Sequence, residues 1–214
     1  MKLTILVDNN TFVSKYKYIL VDEYQDTSLI KFKLLKKILN ISDSKLIVVG
    51  DDWQSIYRFT GCELNLFLDF KKNLEFSDIV SINNTYRNSQ ELIDIASSFI
   101  TKNPYQLKKE IKSNKKLKNP INIVLYNDVN IALIYCIDKL LQVYNKPKIM
   151  IIGRNNNDIL MLDSKKIRII NDTIFYKDIE IKYITAHKSK GLEEDNVIII
   201  NLENKITGFP SKIL

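Results

Sequence analysis

The sequence predicts an α/β protein made of two parallel-sheet units, the first of them incomplete. Short apolar runs of four or five residues, typical of buried parallel strands, alternate with longer amphipathic stretches. Two of these runs in the first half end in acidic residues, which places carboxylates at the sheet edge where α/β proteins bind ligands. The same alternation resumes in the second half, after a polar and basic segment.

The predicted elements divide the chain into residues 1–76 and 77–214. In the first part, the elements are a strand over Tyr18–Val21, a helix over 29–39 with N-cap candidates Asp26, Thr27 and Ser28, a strand over 46–49 and a helix over 63–72. In the second part, they are a strand over 79–82, a helix over 89–100, a strand over 121–125, a helix over 129–143 and strands over 149–152 and 198–201.

Composition restricts the class of protein. The 214 residues are 45% hydrophobic and 27% charged, which excludes disordered and fibrous chains. No apolar run reaches the roughly 18–20 residues that cross a bilayer, and the first ten residues do not resemble a signal peptide, so we expect a cytoplasmic protein. Cys62 and Cys136 are far apart and lack a CxxC spacing, which argues against a disulfide framework or a zinc site.

Charge favours an acidic partner such as nucleic acid, because the chain has a formal net charge of +7. Seven lysines fall between residues 102 and 118, interleaved with Tyr105. This segment is either a solvated connector or a nucleic-acid-binding strip, and its composition alone favours the connector.

Acidic residues follow both early strands. Asp22 and Glu23 come directly after the first strand, and carboxylates in this position suit Mg²⁺ binding and activation of water. A hydrated strand end without function is the alternative. After the second strand, Asp51 and Asp52 lead to Gln54, whose amide is suited to contact a phosphate, and to aromatic residues suited to stack on bases.

Four ordered motifs carry a resemblance to superfamily 1 DNA helicases of the UvrD/Rep type, and within that family to the helicase IV type. VDEYQDTS (21–28) and VVGDDWQSIYRFTG (48–61) resemble motifs II and III. NTYR (84–87) resembles motif IV, and YITAHKSKGLE (183–193) resembles motif V. FITKNPYQLKK (99–109) also resembles the helicase IV type.

The resemblance implies the P-loop NTPase helicase fold, with a partial RecA-like ATP-binding domain over 1–76 and a second RecA-like domain over 77–214. It implies ATP and Mg²⁺ as cofactors of the complete enzyme, single-stranded DNA as partner, 3′→5′ translocation with duplex unwinding, and a role in DNA repair. The implied nucleotide-site roles are Mg²⁺ binding by Asp22, water activation by Glu23, γ-phosphate contact by Gln54, adenine stacking by Tyr86, an arginine finger at Arg87 and ribose contact by Glu193.

The implied DNA contacts are base stacking by Tyr57 and Phe59, and binding of the strand by Thr185 and His187. Without the resemblance, Tyr57 and Phe59 are equally explained as core aromatic residues. His187, the single histidine of the chain, is then better explained as a hydrogen-bonded structural residue.

The sequence departs from the family at the phosphate-binding loop, G-x-x-x-x-G-K-[ST], because none of its five glycines precedes a lysine. We therefore expect that loop upstream of Met1, the last motif beyond Leu214, and no turnover by this chain alone. An incomplete first sheet leaves an open edge, to be covered by residues 1–7 or by a second copy through a homodimer or strand exchange. The alternatives to a helicase part are a non-hydrolysing nucleic-acid- or protein-binding module and a component of a nuclease complex.

Overall fold

A computed structural model describes residues 16–162, 165–204, 206 and 208–209 of the chain. Its contacts divide the chain into two compact units, Met1–Ile121 and Asn122–Leu214. The predicted division after residue 76 concerns the domains of the family and stays a prediction. Residues 1–7, proposed above to cover an open sheet edge, lie outside the described residues.

The first unit begins with a β-α-β arrangement. Strands β1 (Tyr18–Val21) and β2 (Lys45–Val48) pair in parallel along their full lengths, and helix α1 (Leu29–Ser42) connects them in the chain. Ser28 is the N-cap of α1, and its hydroxyl accepts a hydrogen bond from the Lys31 amide. The predicted first strand is confirmed, and the second lies one residue earlier than predicted.

The rest of the first unit consists of short elements. These are strands β3 (Asn84–Thr85) and β4 (Lys112–Ser113), which pair in parallel, and helices α2 (Asn65–Leu68), α3 (Phe70–Asn73) and α4 (Gln90–Ile100). The predicted helix over 63–72 is thus two single turns. The unit has a small core of Tyr24, Phe32 and Leu66. The Tyr24 and Phe70 rings are nearly perpendicular, with their centroids 5.7 Å apart.

Two predicted strands are wrong. Residues 79–82 and 121–125 are exposed and belong to no strand within the described part of the chain. A run of four or five apolar residues becomes a strand only when a neighbouring strand supplies hydrogen bonds and covers its side chains. The periodicity of these runs cannot reveal whether such a neighbour is present.

The second unit packs helix α5 (Val129–Val143), predicted with these bounds, against a five-stranded sheet. Its strands are β5 (Ile149–Gly153), β6 (Arg168–Ile170), β7 (Thr173–Tyr176), β8 (Ile179–Thr185) and β9 (Asn196–Ile199). The spatial order is β6-β7-β8-β5-β9. Strands β5 and β9 correspond to the predicted strands over 149–152 and 198–201, whereas β8 was not predicted. Strands β8, β5 and β9 run parallel, and β6, β7 and β8 form an antiparallel meander.

The core of the second unit lies between α5 and this sheet. Its most completely buried residues are Ile137, Ile151, Ile174 and Ile181. Along β8, buried and accessible side chains alternate, as expected for a strand with one covered face. The α/β class is confirmed, with a mixed sheet in place of an entirely parallel one. None of the helices among the described residues is long and apolar enough to span a membrane.

Candidate functional site

Two exposed carboxylates, Asp22 and Glu23, follow β1 directly. The backbone of Glu23 is left-handed, with φ 50° and ψ 42°. A residue with a side chain adopts this conformation at a cost of about 1–2 kcal/mol, and such strain concentrates at functional positions. Asp22 stabilises the turn, since its Oδ1 accepts a hydrogen bond from the Glu23 amide at 2.8 Å.

The ends of β1 and β2 are held side by side beyond the strands themselves. The Val49 amide donates to the Val21 carbonyl at 2.9 Å, and the Tyr24 amide donates to the Val49 carbonyl at 2.9 Å. The residues after the two strands are therefore neighbours. The predicted meeting of the two acidic segments at one sheet edge follows from this geometry.

Gln25 connects the two segments. Its side chain is completely buried, its Nε2 donates to Glu23 Oε2 at 2.5 Å, and its Oε1 accepts from the Asp51 amide at 3.0 Å. Gly50 makes this approach sterically feasible, because a Cβ at that position would lie 2.7 Å from Gln25 Oε1 and 2.7 Å from the Phe67 ring. One buried amide thus fixes Glu23 relative to the segment after β2.

Asp51 organises the segment after β2. Its Oδ1 accepts from the Trp53 amide at 3.1 Å, and its Oδ2 accepts from Gln54 Nε2 at 2.8 Å. Burial raises the pKa of the Asp51 carboxyl. Hydrogen bonds from Lys109 and Gln54 and the charge of Lys109 lower this pKa by a larger amount, so the net pKa is below its ordinary value. Asp51 is therefore an ionised acceptor at neutral pH that orients the exposed Gln54.

Tyr57 and Phe59 form an aromatic pair beside a 3₁₀ turn at Arg58–Thr60. Their ring centroids are 6.1 Å apart with an interplanar angle of 71°. Phe59 is 72% exposed, and Tyr57 is half-buried. Phe59 is therefore not a core residue, and its exposed face is available for stacking.

Tyr86 and Arg87 follow β3 in the first unit. Tyr86 is exposed, and so is Arg87. The backbone of Arg87 is held at two points, since its amide donates to Thr85 Oγ1 at 3.4 Å and its carbonyl accepts from Lys115 Nζ at 3.2 Å. The turn thus presents both side chains at the surface of this unit.

In the second unit, motif V (183–193) covers the last three residues of β8 and the turn that follows the strand. Thr185 is buried at the last position of β8, and the Ala186 amide donates to the Gly153 carbonyl of β5 at 2.9 Å. Arg154 Nη1 lies 3.1 Å from His187 Nδ1. Because a guanidinium only donates, Nδ1 of His187 is the acceptor of this hydrogen bond.

Glu193, the last residue of motif V, is exposed.

Tyr183 is buried in β8, and its hydroxyl donates to the Asn155 carbonyl at 2.5 Å. Burial, and after it the charges of Asp158 and Asp172, raise the pKa of Tyr183 to about 12. This side chain is therefore a neutral structural donor that supports the turn after β5.

Comparisons with known proteins identify the family. Residues 7–75 match the UvrD/REP helicase N-terminal domain. The chain is 32% identical to DNA helicase IV of Escherichia coli (strain K12) over 211 residues, which is 97% of this chain and 29% of that protein. It is 29% identical to the ATP-dependent DNA helicase Rep of Buchnera aphidicola subsp. Acyrthosiphon pisum over 226 residues, 96% of this chain and 35% of that protein.

The chain is similar to the UvrD/Rep helicases over nearly its whole length. A further relative, the probable DNA helicase II homolog of Mycoplasma capricolum, is 39% identical over 112 residues, which is 50% of this chain and 15% of that protein. The chain spans about a third or less of the length of these curated relatives. The resemblance inferred from the four motifs is confirmed, while the role of each site residue stays a prediction.

Similarity to UvrD/Rep helicases implies ATP and Mg²⁺ as cofactors. The carboxylates that follow β1 have the chemistry to hold Mg²⁺. Mg²⁺ at phosphate-processing sites takes one or two carboxylates and completes its shell with phosphate oxygens and water. Asp22 is an exposed carboxylate of this kind, next to Glu23 at the strand end. Among the described residues, no group of three or more His, Cys, Asp and Glu side chains forms a metal-binding cluster.

Three residues at these sites were not predicted from the sequence. Gln25 lies inside motif II (21–28), where only the carboxylates Asp22 and Glu23 were assigned roles. Lys109 pairs with Asp51 at 2.5 Å but is hidden in sequence among other lysines. Arg154 contacts His187 and is the first residue after β5, a strand-end position that could have indicated it.

Proposed function

We propose that the chain is part of an ATP-dependent UvrD/Rep-type DNA helicase that moves 3′→5′ on single-stranded DNA and unwinds duplex. The observation that carries this proposal is the chain of hydrogen bonds from Glu23 through Gln25 and Asp51 to Gln54, which links the segments after the adjacent strands β1 and β2. Relatives named DNA helicase IV and Rep support the same activity class. DNA repair and a cytoplasmic location belong to the same proposal.

The chemistry assigned to these residues is hydrolysis of the terminal phosphate of ATP. Asp22 would hold Mg²⁺, which when bound supplies positive charge to the phosphates. Glu23, oriented by Gln25, would accept a proton from the attacking water. Gln54, oriented by Asp51, would donate its amide to the γ-phosphate. Arg87 would stabilise the charge that develops on the transferred group.

The remaining roles concern the rest of the nucleotide and DNA. Tyr86, with its exposed ring, would stack on adenine, and Glu193 would contact the ribose. The exposed face of Phe59, supported at its edge by Tyr57, would stack on a base of single-stranded DNA. Thr185 and His187 would bind the same strand from the second unit.

A second candidate function is a non-hydrolysing module that binds nucleic acid or a protein. The observation that favours it is the lack of G-x-x-x-x-G-K-[ST] within the 214 residues, since this loop supplies the amides and lysine that hold the β- and γ-phosphates. Homodimer formation or strand exchange at the first sheet remains a proposal, to be tested by light scattering over a range of concentrations.

Steady-state ATP hydrolysis by the chain, with and without single-stranded DNA, separates the two candidates. Hydrolysis that DNA stimulates and that Glu23→Gln abolishes supports the helicase assignment. DNA binding without hydrolysis is expected both for a motor part that lacks the phosphate-binding loop and for the binding module, and it should weaken with salt because lysine and arginine contacts release counterions. The same assay on a chain that includes the loop then decides between the two. Absence of both DNA binding and hydrolysis contradicts both assignments to nucleic acid.

A further inference from the structure

One lysine of the basic segment differs from its neighbours. Lys109 has a side chain that is only 23% exposed, and its ammonium group forms ion pairs with both Asp51 and Asp52. The adjacent Lys108 is exposed. Neither alternative considered for residues 102–118, a solvated connector or a nucleic-acid strip, describes Lys109, since its charge is used inside the first unit.

The backbone next to Lys109 is bound to the same acidic segment. The Leu107 amide donates to Asp52 Oδ2 at 2.8 Å, and Trp53 Nε1 donates to the Leu107 carbonyl at 2.9 Å. Lys109 Nζ also lies 5.2 Å from the centroid of the Trp53 ring, within the range of a cation–π contact. Residues 107–109 therefore hold Asp51–Trp53 through several separate contacts.

The ion pair with Asp52 has an energetic reason. The Asp52 side chain is completely buried, and a buried carboxylate is strongly destabilising unless a cation and hydrogen bonds compensate its lost hydration. Lys109 supplies the cation, and Leu107 supplies an amide donor. The position of residues 107–109 is thus coupled to the conformation of the segment after β2.

Asp51 transmits this coupling to Gln54. Its Oδ1 accepts from Lys109 at 2.5 Å and from the Trp53 amide at 3.1 Å. Its Oδ2 accepts from Gln54 Nε2 at 2.8 Å. Because Lys109 and Trp53 hold Oδ1, the Asp51 carboxylate is fixed in its orientation. Its Oδ2 therefore sets the direction of the exposed Gln54 amide.

We propose that Lys109 is a positioning residue that orients Gln54 through Asp51. The proposal deepens the proposed function and rests on it, because the use of an oriented Gln54 is contact with the γ-phosphate of ATP. A displacement of residues 107–109 would then turn the amide of Gln54 without any change at β1. Lys109 acts through the two aspartates and does not itself contact the nucleotide.

The test compares Lys109→Met, which removes the charge, with Lys109→Arg, which retains it, and with Lys108→Met as a matched exposed control. In the ¹⁵N–¹H NMR spectrum, the Gln54 carboxamide signals are identified by their loss in Gln54→Ala. We expect them to shift in Lys109→Met and to stay in place in the other two variants. If Lys109→Met does not fold, Lys109→Gln takes its place. Unchanged Gln54 signals in a folded variant without the Lys109 charge would overturn the proposal.

Hydrolysis assays then separate this proposal from the proposed function. Where hydrolysis is measurable, we expect the kcat for ATP to fall about five- to tenfold in Lys109→Met, the rate equivalent of one lost hydrogen bond, with little change in KM. Equal losses in Lys109→Met and Lys108→Met would overturn the positioning role. Lack of hydrolysis by the wild-type chain is expected without the phosphate-binding loop and leaves the NMR test of Lys109 unaffected. Hydrolysis that both Glu23→Gln and Gln54→Ala leave unchanged would instead contradict the proposed function, and Lys109 would then be only a structural link.

Discussion

At the scale of single residues, the first unit depends on a few buried polar groups. Gln25 follows β1, and Asp51 and Asp52 follow β2. The side chains of Gln25 and Asp52 are completely buried and that of Asp51 is partly buried, and each makes hydrogen bonds that solvent would otherwise supply. Such a network is stabilising only while all of its members are present, because a buried group left without a partner keeps its full desolvation cost. Single substitutions in the network are therefore informative.

Gln25→Ala should destabilise the first unit by about 1–3 kcal/mol, because the partly buried Asp51 amide loses its acceptor. Urea unfolding followed by the fluorescence of Trp53, the single tryptophan of the chain, reports on this unit. Gln142→Ala, at an exposed helical position, should stay within about 0.5 kcal/mol of the wild type. Equal stability of Gln25→Ala and the wild type would contradict the bridging role.

Gly153→Ala should destabilise the second unit by about 1–3 kcal/mol through overpacking. A Cβ at this position would lie 2.1 Å from the Tyr183 hydroxyl oxygen and 2.9 Å from its Cζ atom. The measurement is urea unfolding followed by circular dichroism. Adding Tyr183→Phe should recover part of the loss, because it removes the nearest contact. A double variant no more stable than Gly153→Ala would argue against the hydroxyl as the source of the clash.

Acid should remove the contribution of Asp51. Because its folded pKa is lowered, the stabilisation is complete above the unfolded pKa of about 3.9 and is lost as pH falls through the folded value. The difference in unfolding free energy between the wild type and Asp51→Asn should therefore narrow from neutral pH to about pH 3. A difference that stays constant over this range would show that ionisation of Asp51 contributes nothing.

At the scale of elements, the outcome of sequence-based prediction depended on how local the cause of each structure is. The strand at Tyr18–Val21 and the helix Val129–Val143 were predicted with their observed bounds, because apolar pattern and capping residues lie inside the segment. Residues 79–82 failed as a strand because pairing depends on a distant neighbour. The β6–β7 hairpin was missed, although Asn171 and Asp172 between its strands are turn-forming residues.

The candidate site follows the same rule. Asp22 and Glu23 were found because they directly follow a strand in sequence. The partnership of Gln25 with Asp51 spans 26 residues, and that of Lys109 with Asp51 spans 58, so neither leaves a local pattern. Long-range polar contacts of this kind require the folded chain.

The 3₁₀ turn that carries Phe59 should make a direct contribution to DNA binding. Phe59→Ala should weaken binding of a single-stranded oligonucleotide by about 1–3 kcal/mol, the value of one stacked base. Stability should change little, since the ring is largely exposed. Phe76→Ala, which removes another exposed ring, is the matched control in an anisotropy titration. Unchanged affinity together with reduced stability would assign Phe59 to packing.

At the scale of the whole molecule, the net charge of +7 bears on the same titration. The logarithm of the binding constant for single-stranded DNA should fall linearly with the logarithm of salt concentration, with a slope set by the number of phosphate contacts. Lys102→Met, at an exposed position, should reduce that slope more than Lys109→Met, because Lys109 is already paired with Asp51 and Asp52. The opposite order would place Lys109 at the DNA.

The sheet of the second unit also implies an order of events during folding. Residue pairs at the ends of the β6–β7 and β7–β8 connections are only three positions apart in the chain, whereas β5 must find β8 and β9 across much longer loops. Closing short loops costs less entropy, so the meander should form early and β9 should join last. Pulse-labelled hydrogen exchange would then show amides of β7 protected before those of β9.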